Sequence, residues 1–79
     1  MTKEEVLNQI QEIFRSVLSE DNLILQNDTT ADNIDEWDSL NHIQLIVAIE
    51  KHFKIRFSSS EIQGFKNVGE MCDSVLSKY

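Results

Sequence analysis

The chain has 79 residues, 41% of them hydrophobic, with 14 acids against 7 bases and a formal net charge of −7. That length makes one domain with a core near the lower practical limit, too apolar for a disordered segment and too interrupted for a membrane span. The acidic balance disfavours nucleic acid and anionic lipid and favours basic protein surfaces as partners. In chain order, Thr2-Lys3-Glu4-Glu5 has the form of a capping box, with Thr2 as cap and Glu5 reaching back. Val6, Ile10, Ile13 and Val17 then recur at helical spacing, with Leu7, Phe14 and Leu18 on the same side, which predicts a helix over about 3–18.

From about 19 to 38 there is no such period. Arg15 and Lys51 bracket a stretch without a base, in which Glu20, Asp21, Asp28, Asp32, Asp35, Glu36 and Asp38 crowd together. Loops of this length are uncommon inside compact domains and are usually functional. This one has to travel the length of the first helix, on the order of 25 Å. Leu23, Ile24, Leu25 and Ile34 are placed to tack it onto the bundle.

A second helix is predicted over about 39–52. Leu45, Ile46, Ile49 and Phe53 fall on one arc of its wheel and form the core face. Leu40, Ile43 and Val47 fall on a separate arc bordered by Glu50 and Lys51, more apolar surface than so small a bundle buries. That stripe is either a partner-docking surface or a slack edge of the core. Ile55-Arg56-Phe57 allows a brief extended piece. Ser58-Ser59-Ser60-Glu61 announces a short third helix that stops near Gly64. A fourth follows Asn67, with Glu70 placed to complete its cap and Val68, Met71, Cys72, Val75 and Leu76 on one side. There is no proline, repeat, linker or alternating strand pattern, so the predicted fold is a single all-α domain over residues 1–79: a small four-helix bundle with a short third helix and a long acidic loop between helices one and two.

Ser39 raises the functional question. Asp38 is already placed to cap helix two, so the next hydroxyl is superfluous as a cap. At a helix start it faces unpaired N–H groups and the positive end of the dipole, where a phosphate is favourable. It reads as an attachment point. Asp38-Ser39-Leu40, followed by Ile43, Leu45, Ala48, Ile49, Glu50 and Phe53, resembles the acyl carrier protein family and its peptidyl-carrier relatives, and the likeness in length, charge and helix order covers essentially the whole chain.

The resemblance implies a single non-catalytic carrier domain. A phosphopantetheinyl transferase would move 4′-phosphopantetheine from coenzyme A onto Ser39, and the arm would present acyl or aminoacyl thioesters to loading and transferring enzymes. It implies Asp38 as the transferase and metal contact, and Leu40, Ile43, Val47 and Glu50 as partner-facing positions. Leu45, Ile49, Ile62 and Phe65 would line an acyl cavity. Two departures stand out. Asn41 and Gln44 are neutral where fatty-acid carriers are commonly acidic, while Lys51, His52, Lys54 and Arg56 make the far end of helix two basic. Trp37 stands where a small residue is usual; beside the arm's attachment point, it is expected to be partly exposed. These departures point to a specialised biosynthetic pathway, with central fatty-acid synthesis and an unmodified helical interaction module as the alternatives.

Other chemistries fare worse. Asp38, Ser39 and His42 do not make a triad, because a carboxylate adjacent to the serine cannot orient the imidazole from behind, and no nucleophile elbow is present. His42 turns toward the core arc and reads as a hydrogen-bonded structural histidine. The acidic loop lacks the ligand spacing and central glycine of a calcium loop, so no metal site is expected. Cys72, on the apolar face of helix four, reads as a core residue, and a single cysteine without a secretion signal suits the cytoplasm. Asn27-Asp28-Thr29 fits the glycosylation pattern only by accident. The expected state is a monomer.

Overall fold

The structure, a computed structural model, describes residues 1–78. It contains α1 (Lys3–Leu18), α2 (Ser39–Phe53), α3 (Ser59–Gly64) and α4 (Val68–Ser77), with a 3-10 turn at Ala31–Asn33. Each α-helix begins on a side-chain cap. The Thr2 hydroxyl accepts from the Glu5 N–H at 3.2 Å while the Glu5 carboxylate accepts from the Thr2 N–H at 2.9 Å, and these bonds hold the Glu5 carboxyl below its usual range. Ser58 and Glu61 repeat the box at α3. Asn67 caps α4, but Glu70 accepts from the Lys66 N–H at 3.0 Å instead of closing back on Asn67. No glycine ends α1 or α2. Ser19 (φ 56°) and Lys54 (φ 58°) take the left-handed conformation instead, a position non-glycine residues occupy at some cost.

The core is three-sided. Val6, Ile10 and Phe14 of α1, Leu45, Ile46 and Ile49 of α2, and Val68, Met71, Cys72 and Val75 of α4 are all buried, and α1 packs against both other helices. The buried stripe of α1 runs Val6, Ile10, Phe14, Leu18, while Ile13 and Val17 are half-buried at its edge. Burial pushes the Cys72 thiol up to about 11, as suits an inert core side chain. The possible extended piece at 55–57 forms no strand, and none occurs among the described residues. No helix is long and apolar enough to cross a membrane.

The loop is tied down at successive points. The Arg15 guanidinium Nε donates to the Leu23 carbonyl at 2.7 Å, and the Gln11 side-chain oxygen accepts from the Leu25 N–H at 2.9 Å. Leu25, Ile34 and Trp37 are buried, but Ile24 is exposed and does not tack the loop down as expected. The loop's next anchors are the free amides of α4: Val68 N–H donates to the Thr29 carbonyl at 2.9 Å and Gly69 N–H to the Asn27 carbonyl at 2.8 Å. The loop is thereby delivered to the start of α2 along a fixed path.

α3 contributes no fully buried side chain. Phe57, just ahead of it, meets Phe65, just past it, edge to face at 5.3 Å, and Lys78 of the chain's end bonds both Glu61 carboxylate oxygens at 2.8 and 3.0 Å.

Candidate functional site

The start of α2 is built by a short network. Asp38 Oδ1 accepts from the Asn41 N–H at 2.8 Å, the Asp38 carbonyl accepts from the His42 N–H at 2.8 Å, and the Asn41 side-chain amide donates to the Glu36 carbonyl at 2.7 Å. Asp38 is the cap and Ser39 the first helical residue. The Ser39 side chain is exposed and its hydroxyl has no hydrogen-bond partner among the described residues. The amides of Ser39 and Leu40 also lack a partner there, so the positive end of the helix is open at the hydroxyl.

Trp37 departs from expectation. It is 6% exposed and packs edge-on against Phe14 of α1, ring centroids 5.0 Å apart. Its indole N–H donates to His42 Nδ1 at 2.9 Å, and His42 Nε2 lies 3.0 Å from the Ile62 carbonyl of α3. Because Nδ1 accepts, the ring carries its proton on Nε2 and donates to that carbonyl. His42 is the hydrogen-bonded structural residue its place on α2 suggests. The burial of Trp37 follows from this pairing, which satisfies the one polar atom of the indole away from water.

A groove of about 590 Å³ opens beside Ser39, within the size range of small-molecule sites. Asp38, Ser39 and Ile43 form one wall, Ile62 and Phe65 the other, and Trp37 and His42 also line it. Of the four residues expected around an acyl cavity, Ile62 and Phe65 line this groove. Leu45 and Ile49 do not: both are fully buried in the core, while Trp37 and His42 are among the residues that line the groove. Ala31, Gln63 and Lys66 also line the groove. Sequence reasoning missed all three, since only the return of the loop and of the α3–α4 turn brings them to Ser39.

Along the outer face of α2, Leu40, Ile43 and Val47 are 70%, 53% and 42% exposed, so they are not an edge of the core. Glu50, expected beside them as a partner contact, is half-buried, and one of its carboxylate oxygens accepts from the Phe57 N–H at 2.8 Å, a bond that holds the chain leaving α2. Lys51, Lys54 and Arg56 border a second depression with Val47 and Ile55, and none of the three is in an ion pair among the described residues. No cluster of potential metal ligands occurs there either.

A domain of this size, with an open serine at the head of its second helix, has the form of a covalent carrier. Residues 8–75 match the family model described as a phosphopantetheine attachment site, and the chain belongs to this family, whose cofactor is covalently bound phosphopantetheine. An acyl carrier protein from Cyanidium caldarium is 31% identical over 99% of this chain and 91% of its own length. One from Acidothermus cellulolyticus is 28% identical over 98% and 92% respectively. The solution structure of the holo acyl carrier protein from Geobacter metallireducens is similar at a TM-score of 0.87 with 45% identity, covering 92% of this chain and 84% of that one.

Proposed function

We propose that Ser39 is the attachment point of the 4′-phosphopantetheine arm and that the chain carries acyl or aminoacyl groups to partner enzymes without catalysing their chemistry. The observation behind this reading is the division of roles at the head of α2, where Asp38 makes the cap and Ser39 stays exposed and unbonded. The bound arm supplies a terminal thiol that holds the carried group as a thioester. The chain supplies the hydroxyl and the electrostatics. On a transferase, Ser39 Oγ bonds to the pantetheine-side phosphorus of coenzyme A, the P–O bond to adenosine 3′,5′-bisphosphate breaks, and the hydroxyl proton passes to a base. The open amides of Ser39 and Leu40 favour the resulting negative phosphodiester. Asp38 Oδ2, outside the cap bond, is available to the divalent cation that accompanies phosphoryl transfer.

Intact mass after incubation with coenzyme A and a transferase tests this directly. The parent should gain one arm, whereas Ser39→Ala should gain none while keeping its helical circular dichroism. An arm on the Ser39→Ala protein would place the site elsewhere, and no arm on the parent would leave only a helical interaction module.

The pathway we assign is a specialised one, because of how charge frames the exposed stripe. Acids at Asp35, Glu36 and Asp38 flank its Ser39 end, Asn41 and Gln44 leave its middle neutral, and Lys51, Lys54 and Arg56 make its far end basic. An enzyme groove suited to a uniformly acidic helix loses attractive pairs along it, each worth about 0.2–1 kcal/mol when exposed. The holo protein should therefore be a poor substrate for central fatty-acid elongation enzymes. The triple substitution Asn41→Asp, Gln44→Glu and Lys51→Glu should improve it, by about tenfold if three such pairs form. Elongation of the parent as efficient as that of a standard fatty-acid carrier would reject the specialised assignment.

A further inference from the structure

We propose that Trp37 and His42 form a latch that keeps the carried group out of the helical core and confines it to the groove beside Ser39; the inference rests on Ser39 being the attachment point. His42 shares the inward face of α2 with Leu45, Ile46 and Ile49, standing one turn closer to Ser39. A chain passing from Ser39 along that face into the core meets His42 first. Trp37 lies beside it, with one side on the groove and its edge against fully buried Phe14. The two side chains are held at both ends: the indole N–H on His42 Nδ1 at 2.9 Å, and His42 Nε2 on the Ile62 carbonyl at 3.0 Å.

The second bond runs from α2 to α3, the two helices whose residues line the groove. Parting the helices breaks it, and displacing the indole strands a buried N–H without an acceptor. The groove offers the alternative. Ile43, Ile62 and Phe65 line it with apolar side chains, and Gln63 and Lys66 add polar groups, with Lys66 in no ion pair among the described residues. A group lodged there remains at the surface. The class of cargo that fits is a short acyl group, or one with a polar far end, and not a long alkyl chain that needs the core for shelter.

The test loads the full chain with acetyl and octanoyl groups from the corresponding acyl-coenzyme A, using a transferase that accepts both, with intact mass reporting the attachment. Nuclear Overhauser contacts from the octanoyl methyl should reach Ile43, Ile62 or Phe65, and hydroxylamine should cleave both thioesters at the same rate. In Trp37→Ala and His42→Ala the contacts should move to Leu45 and Ile49, and octanoyl cleavage should slow several-fold relative to acetyl. If either variant fails to fold, the unsubstituted protein decides alone. Its octanoyl methyl touching Leu45 or Ile49, its failing to touch the groove, or its selective protection from hydroxylamine overturns the latch while leaving the carrier reading intact. Absence of any loading in the mass spectrum overturns the carrier reading instead, and the latch with it.

Discussion

At Gly69 the first turn of α4 lies close against the backbone of the long loop. A Cβ built there would lie 2.8 Å from the Asn27 carbonyl oxygen and 3.3 Å from Asn67 Oδ1. Helix propensity alone favours alanine by about 1 kcal/mol in the first turn of α4. The steric term is larger, because the obstructing atom belongs to backbone that is itself hydrogen-bonded to the Gly69 N–H. Gly69→Ala should therefore destabilise the protein by about 1–3 kcal/mol, read as a lower urea midpoint. An unchanged or raised midpoint would mean the loop moves aside freely. The head of α2 was legible at this scale, since Asp38 and Ser39 are sequence neighbours and a cap bond is a local event. The burial of Trp37 was not, because it needs Phe14 and His42, which only the folded chain brings to the indole.

Among the α-helices, α3 is the one with no fully buried residue. Its tethers include the packing of Ile62 and Phe65 against the core edge, the Phe57–Phe65 contact, the His42–Ile62 bond and the Glu61–Lys78 pair. The Lys78 ammonium and the Ser58 N–H hold the Glu61 carboxyl down at about 2, from an ordinary 4.5. A carboxyl depressed on folding stabilises the native state fully above its unfolded value and loses that contribution as pH falls toward the folded one. The attachment of α3 should weaken between pH 4.5 and about 2 and be indifferent to pH above that window. A carbon-detected titration of the Glu61 carboxyl checks this: the midpoint should lie near 2 and move up in Lys78→Gln, and an ordinary midpoint in the parent refutes it. Sequence located this helix through its capping box but could not show what holds it, since Lys78 lies 17 residues from Glu61. The register of α1 was similarly half-visible. Apolar residues at 6, 10, 13, 14, 17 and 18 define a face, but whether 13 and 17 or 14 and 18 lie at its centre depends on how α2 and α4 press against it.

At the scale of the whole molecule, the three-sided core could be read from helical spacing, because it needs only that apolar faces meet. The path of the loop could not. Its most distant anchors are the carbonyls of Asn27 and Thr29, and a backbone carbonyl leaves no mark in a sequence. The same holds for the groove, whose walls come from the loop, α2, α3 and the turn before α4. Charge is distributed along α2 with opposite signs at its two ends, so the exposed stripe of Leu40, Ile43 and Val47 has a direction as well as an area. A partner surface of complementary charge would meet that stripe in one orientation only.

The anchoring of the loop on Val68 and Gly69 has a consequence for how the chain acquires its structure. Residues that leave the ribosome before α4 can form α1 and α2, but the loop between them has no acceptor-matched amides to dock on until the last helix emerges. Ordering of the 27–29 segment and completion of the core then become one event, with a long stretch of chain to close, and contacts so far apart in sequence slow folding. Hydrogen exchange reads this out: the Val68 and Gly69 amides should open only with global unfolding, together with those of core α1, and faster exchange at the two amides would mean that the loop detaches on its own.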